Sequence, residues 1–182
     1  TFGRGQAFAS ALEGWRNAIV GGWSVNSIFT AQSGFPFTPQ LSYNPSNNGD
    51  TRNPVRPCIN PAFTASAILG KPGQWFDPNA FLAPPANSGF YGNLGRDTLI
   101  GPGLATWDFS AMKETVLRER LKLQFRAEIF NLLNRANFNT PNLITFTPPT
   151  VLNPTGVSGT AGAITSTSTT ARQVQFGLKL IW

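Results

Sequence analysis

The side chains that most often carry out chemistry in proteins are scarce in this chain. It has no histidine and one cysteine, Cys58. Without histidine, neither a Ser–His nor a Cys–His nucleophile pair can form, and the commonest metal ligand is missing. A single cysteine can make neither an internal disulfide nor a paired-cysteine metal site. These counts argue against the common nucleophilic and metal-based reactions.

The other candidates for chemistry fail on spacing. The eight acidic residues include no close pair suited to acid–base hydrolysis. Residues 47–50 (NNGD) could ligate calcium, yet they do not fit the spacing of a calcium-binding loop. The glycines between residues 92 and 103 follow neither the dinucleotide-binding nor the P-loop pattern. We therefore expect a protein that is not an enzyme and that holds no metal or cofactor.

Four segments alternate apolar and polar residues with a period of two, which is typical of strands with two different faces. They cover about residues 18–33, 104–115, 120–133 and 172–182. Each has about ten residues or more, and a tilted strand needs about 9–11 residues to cross the hydrocarbon core of a membrane. Charged residues make up only 12% of the chain, about half the usual share for a soluble domain.

The connections between these segments differ greatly in length. A short turn near residues 116–119 separates the middle two, whereas about residues 34–103 and 134–171 form long connections. Outer-membrane barrels alternate short periplasmic turns with longer extracellular loops. The sequence therefore predicts an all-β fold: antiparallel strands from the C-terminal part of a transmembrane β-barrel, a single domain over residues 1–182, with two long extracellular loops. Residues 158–170 are rich in Ser, Thr and Gly, which favours a flexible surface loop.

In a barrel, one face of each strand meets lipid and the other lines the lumen. The candidates for lumen-facing polar residues are Asp108, Lys122, Arg126, Glu128 and Lys179. A soluble sheet would instead expose such charges to solvent, so this feature alone does not discriminate. Lys113 is the one charge on an apolar face; it lies near the periplasmic turn, where a charge costs roughly 0–1 kcal/mol.

The net charge of +6 also bears on the partners of the protein. The 14 basic residues are spread along the chain, and the densest cluster, from Arg118 to Arg126, also contains Glu119. The basic and aromatic pattern of RNA-binding domains is not present. We expect these charges to lie at a membrane interface or in a lumen, and we expect no nucleic-acid partner.

The last segment ends on an aromatic residue. Every second residue before it is apolar, which gives the series Val174, Phe176, Leu178, Leu180 and Trp182. This series resembles the signal by which the assembly machinery of the outer membrane recognises barrels. The alternative interpretation is an ordinary amphipathic last strand of a soluble sheet.

Several longer motifs follow one another along the chain. They are residues 22–26 (GWSVN) with 33–39 (SGFPFTP), 75–81 (WFDPNAF), 91–96 (YGNLGR) leading to 101–103 (GPG), 123–134 (LQFRAEIFNLLN) and 172–180 (RQVQFGLKL). Together they resemble the C-terminal barrel of TonB-dependent receptors of the Oar-like kind. The most specific parts are Glu128-x-Phe130-Asn131-x-x-Asn134 and the terminal strand.

The resemblance implies a barrel of about 22 strands with a plugged lumen. It also implies energy coupling through the TonB complex, an unknown extracellular ligand that is imported or exported, and a location in the outer membrane of a Gram-negative bacterium. The plug, the TonB box and most strands would lie before Thr1, so we expect the chain to be a C-terminal fragment. A regulatory domain resembling that of carboxypeptidases often precedes the plug in this family.

The alternative from another class is a secreted, soluble β-sandwich that binds a ligand in the manner of a lectin. Such a module would hide its apolar faces between two sheets, and it would be soluble without detergent. An enzyme is a third and weaker hypothesis, because histidine and a convergent site are missing.

If the terminal series is the assembly signal, replacing Trp182 with Ser in the full-length gene will lower the amount of protein in the outer membrane. The change removes the terminal aromatic ring and leaves the rest of the strand intact. Quantitative immunoblotting of outer-membrane fractions measures the effect. Unchanged levels would argue against the assembly role.

Overall fold

Strands dominate the computed structural model, which describes residues 2, 8, 14–49 and 55–182. In this part of the chain the helices are short: α1 (Gly14–Val20) and a 3-10 helix (Pro78–Ala80). The strands are β1 (Trp23–Gln32), β2 (Pro36–Phe37), β3 (Gln40–Leu41), β4 (Cys58–Ile59), β5 (Ile68–Lys71), β6 (Gln74–Phe76), β7 (Phe81–Leu82), β8 (Leu99–Ile100), β9 (Leu104–Arg118), β10 (Leu121–Phe130), β11 (Ile144–Phe146) and β12 (Gln173–Ile181). No helix among the described residues has the length and apolar character needed to cross a membrane. The predicted all-β fold with antiparallel strands is confirmed.

The chain divides into two compact units. The sheet unit comprises Thr1–Ala31, Ala105–Ala136 and Thr169–Trp182, and the loop unit comprises Gln32–Leu104 and Asn137–Ser168. The long connections predicted at about residues 34–103 and 134–171 supply nearly all of the loop unit.

The sheet unit is built on four strands in the order β1-β9-β10-β12. β10 pairs antiparallel with both β9 and β12. A two-residue turn joins Arg118 to Leu121, and next to it the register shifts, because Lys122 pairs with Val116 and leaves Leu117 as an extra residue. Such a bulge increases the local twist of the strand pair.

The first strand begins later than predicted. The alternation suggested a start near residue 18, but Gly14–Val20 is helical and β1 begins at Trp23. The indole N–H of Trp23 donates to the carbonyl of Ile19 at 3.0 Å. Gly22 has a φ of +74°, and a Cβ there would clash with the carbonyl of Glu114. Only glycine therefore permits the close approach between β1 and β9 at this point.

The other long strands also differ from their predicted bounds at one end. β9 continues to Arg118, beyond the predicted end near residue 115. β10 ends at Phe130, before the predicted end near residue 133, because Asn131 adopts a φ of +51°. A left-handed conformation of this kind ends a strand.

The loop unit has a hydrophobic core of its own. Four small sheets form it: β3–β11 is parallel, and β2–β8, β4–β7 and β5–β6 are antiparallel. The core consists of Phe37, Leu41, Val55, Phe76, Ala80, Phe81, Leu94, Leu99, Phe146 and Ala161. Phe76 is 0% exposed, and its ring centroid lies 5.8 Å from that of Phe37 and 6.0 Å from that of Phe81. Since β3 and β11 come from different connections, the two connections fold as one body.

Residues 158–170 differ from the flexible surface loop that their composition suggested. The amide of Ser158 donates to the carbonyl of Thr145, and the amide of Ile164 donates to the carbonyl of Pro72. The carbonyl of Gly162 accepts from the amide of Trp75 at 2.7 Å. Small residues let this backbone lie directly against the neighbouring backbone, so its polar groups are bound within the protein.

Replacing Phe76 with Ala will destabilise the loop unit. Truncating a buried phenylalanine costs about 3–5 kcal/mol, so hydrogen exchange of the loop-unit amides in the full-length protein should become at least tenfold faster. Val151→Ala is the matched control, because Val151 is 99% exposed. Equal protection in the two variants would contradict a common core.

Candidate functional site on the polar face of the sheet

The register of the sheet unit separates its side chains into two faces. On β10, the side chains of Lys122, Gln124, Arg126 and Glu128 share one side, because successive side chains in a strand alternate. Across the strands, Gln124 pairs with Glu114 of β9 and with Lys179 of β12. We call this side the polar face. It includes Asp108, Ser110, Met112, Glu114, Lys122, Gln124, Arg126, Glu128, Gln175, Gly177 and Lys179 from these three strands, and the apolar Val116 and Ile181 lie opposite Lys122 at its end. Ser24 and Asn26 of β1 line a recess with this face.

The opposite side is apolar over most of its area. In the register, Leu123 pairs with Leu180, Phe125 with Leu178, and Ile129 with Val174. The rings of Phe125 and Phe176 stack with their centroids 6.2 Å apart. Phe176 is nevertheless 70% exposed. This apolar face therefore presents large side chains that the described part of the chain does not cover.

The structure places all five predicted polar residues on the polar face, where they have different partners. The ammonium of Lys122 lies 2.9 Å from the carboxylate of Glu114, and the guanidinium of Arg126 lies 3.6 Å from that of Glu128. Asp108 accepts a hydrogen bond at 2.9 Å from the amide of Asn131. Exposed ion pairs contribute about 0–1 kcal/mol to stability. These two pairs therefore affect the electrostatic potential of the face more than the stability of the protein.

Two recesses lie on the polar face, on either side of the Arg126–Glu128 pair. The first has a volume of about 400 Å³ and is lined by Ser24, Asn26 and Ser110 among others. The second has a volume of about 320 Å³ and lies between β10 and β12. Within the described residues, no group of three or more acidic or cysteine side chains could hold a metal ion.

A comparison with protein families decides the assignment. A family model described as an outer membrane beta barrel domain matches residues 1–175. The chain belongs to the outer membrane beta barrel domain family. Searches of the curated proteins and of the solved structures found no match. The predicted location in the outer membrane of a Gram-negative bacterium is confirmed, and the soluble β-sandwich is not favoured.

On the apolar face of this outer-membrane barrel, the charge of Lys113 is held by groups of the protein itself. The ammonium of Lys113 donates to the carbonyls of Ile19 at 2.7 Å and Gly21 at 3.3 Å. It also lies 5.3 Å from the centroid of the Trp23 ring. Carbonyls at the C-terminal end of α1 attract a cation, and the indole adds a cation–π contact. Lys113 therefore ties α1 to β9.

The predicted assembly signal of the barrel lies at an edge of the sheet. Val174, Phe176, Leu178 and Leu180 are on the apolar face of β12, and Trp182 follows the end of that strand and is 89% exposed. The edge position leaves the backbone of β12 open on one side within the described residues.

A cluster around Asn131, which we call the asparagine clasp, was not identified from residue types alone. The side-chain amide of Asn131 donates to the carbonyls of Arg135 and Thr170 at 3.0 Å, and its oxygen accepts from the amide of Arg135. The oxygen of Asn134 accepts from the amide of Arg172 at 2.9 Å. The clasp therefore fixes the point where the chain leaves β10 and the point where it returns to β12. The Asn131-x-x-Asn134 motif was the signal that could have revealed it.

Tyr43, an ionisable residue of the loop unit, has a shifted pKa. Burial raises the pKa of the Tyr43 hydroxyl above its ordinary value of 10.0. Tyr43 is packed against the core of the loop unit. Tyr43 therefore keeps its proton to a higher pH than an exposed tyrosine does.

The clasp predicts different effects for two substitutions of Asn131. Asn131→Gly loses the side-chain hydrogen bonds, and we expect a loss of about 1–3 kcal/mol in the free energy of unfolding. Asn131→Ala loses the same hydrogen bonds and keeps a Cβ at a φ of +51°, a conformation that alanine tolerates less well than glycine. It should therefore be about 1–2 kcal/mol less stable than Asn131→Gly. Urea unfolding of the full-length protein, followed by its mobility in unheated gels, measures both. Equal stability of wild type and both variants would show that the clasp does not stabilise the fold.

Proposed function

We propose that this chain forms part of the wall of a TonB-dependent outer-membrane transporter that moves an unidentified ligand. The observation that carries the proposal is the polar face, which runs along β9, β10 and β12 opposite the apolar face. The motifs shared with TonB-dependent receptors of the Oar-like kind support the finer assignment.

The polar face lines the lumen in this proposal. An Arg or Lys side chain on the lipid face of a barrel costs about 2–4 kcal/mol at the midplane. Three basic side chains lie on the polar face: Lys122, Arg126 and Lys179. The apolar face, with exposed residues such as Phe176 and Leu178, is suited to the hydrocarbon region. Asp108 and Glu128 then contribute acidic groups to the same wall.

The two edges of the sheet require further strands. β1 and β12 are the edge strands in the part of the chain that the structure describes. Unpaired backbone groups are too costly to leave in lipid. We infer that strands from elsewhere in the protein, or from another copy, pair with both edges to close the barrel. A barrel of about 22 strands would enclose a plugged lumen.

The partners follow from the same placement. The series from Val174 to Trp182 would be bound by the barrel assembly machinery, and a plug in the lumen would connect to the TonB complex. The loop unit would lie on the extracellular side and meet the ligand first. We propose no catalytic activity and no nucleic-acid partner, since the chain lacks histidine and two of its polar-face cations are paired with carboxylates.

Energy-coupled uptake is tested by comparing strains of the source bacterium. We expect at least one compound to disappear from the medium of the wild type and to remain when either the full-length gene or the TonB gene is deleted, as measured by mass spectrometry of culture supernatants. Complementation with the full-length gene is the control. A transporter without TonB coupling would show the defect only in the first deletion. No change for any compound in that strain would contradict transport itself.

A further inference from the structure

A glycine, Gly177, lines the recess between β10 and β12. Gly177 pairs with Arg126 in the register. A Cβ at Gly177 would lie 3.9 Å from the Cβ of Arg126, an ordinary contact. Neither the backbone nor the packing therefore demands glycine there. Glycine weakens a strand interior, and it often marks a position where a ligand approaches the backbone closely.

Two cations border this open space. Arg126 lies directly across from Gly177, and Lys179 is the next residue of β12 on the same face. Both line the recess, together with Gln124, Glu128 and Gln175. Arg126 has one carboxylate neighbour, Glu128, at 3.6 Å. Among the described residues, no carboxylate forms an ion pair with Lys179. The recess therefore has an excess of positive charge.

The recess also has the donors that an oxyanion requires. Guanidinium groups bind carboxylates and phosphates through two parallel hydrogen bonds. The side-chain amides of Gln124 and Gln175 add neutral donors on either side. Its volume of about 320 Å³ is in the range of small-ligand sites, roughly 300–1,000 Å³.

We propose that the recess over Gly177 binds a small organic anion through a carboxylate or phosphate group held by Lys179 and Arg126. The inference rests on the proposed function, because it makes this recess a ligand subsite in the wall of the transport lumen. Glu128 positions the guanidinium of Arg126, and Lys179 has no ion pair with a carboxylate in the part of the chain that the structure describes.

Isothermal titration calorimetry of the full-length protein in detergent tests the proposal, with succinate and inorganic phosphate as separate probes at low ionic strength. We expect at least one probe to bind with a Kd below about 1 mM. Lys179→Gln removes the ammonium group of Lys179, and Gly177→Gln fills the recess without changing its charge. Each should weaken binding at least about tenfold.

The matched control is Lys122→Gln, which removes the same charge from the same face at a lysine already paired with Glu114. It should change Kd by less than about twofold. Mobility in unheated gels verifies that each variant is folded. Binding of succinate alone would assign a carboxylate ligand, and binding of phosphate alone a phosphate ligand.

Two results would overturn the proposal: no binding of either probe to folded wild type, or an equal loss in Lys179→Gln and Lys122→Gln. The second would show that the net charge of the face, and not the recess, attracts anions. Binding with the expected variant pattern, together with unchanged uptake in the gene-deletion strain, would overturn transport and leave the anion site standing.

Discussion

In the hydrocarbon region of a membrane, every backbone amide and carbonyl needs a partner inside the protein. The antiparallel pairing of β10 with β9 and β12 meets this requirement for the central strand. The same pairing fixes the register, and a slip by one residue would exchange the two faces. Phe125 would then move to the polar side and Arg126 to the apolar side. The bulge at Leu117 lies beside the turn, so its extra residue is absorbed before the two-sided part of the strands begins.

The strands must also end where the alternation of polar and apolar side chains ends. Asn131 ends β10 in a left-handed conformation, and its amide side chain binds the segment that returns toward β12. At the other end of the sheet unit, Gly22 lets β1 approach the carbonyl of Glu114, and Lys113 binds the last carbonyls around α1. Local polar contacts therefore define the ends of strands whose middle parts are specified by alternation.

How much could be predicted follows from the range of the interactions involved. Alternation is local and has a period of two, so it revealed the long strands and placed residues as distant as Asp108 and Lys179 on polar sides of their strands. The core of the loop unit could not be seen in this way. Phe37, Phe76 and Phe146 come from short strands far apart in the chain, and no periodicity connects them. The helix before β1 was missed because Ile19 and Val20 suit either structure, and the glycines on both sides decide between them.

The recess over Gly177 likewise could not be predicted from a local sequence pattern. In the sequence, Gly177 only interrupts the polar positions between Gln175 and Lys179. The role of Gly177 depends on the neighbouring strand β10, where Arg126 occupies the paired position. A larger side chain at Gly177 would fill the space beside Arg126, and Lys179 would then face a closed wall. The paired charges at Lys122 and Glu114 need no such space, because they satisfy each other along the surface. The register therefore places the ion-paired Lys122 and the recess-lining Lys179 on the same face. That register follows from the strand pairing that a membrane requires.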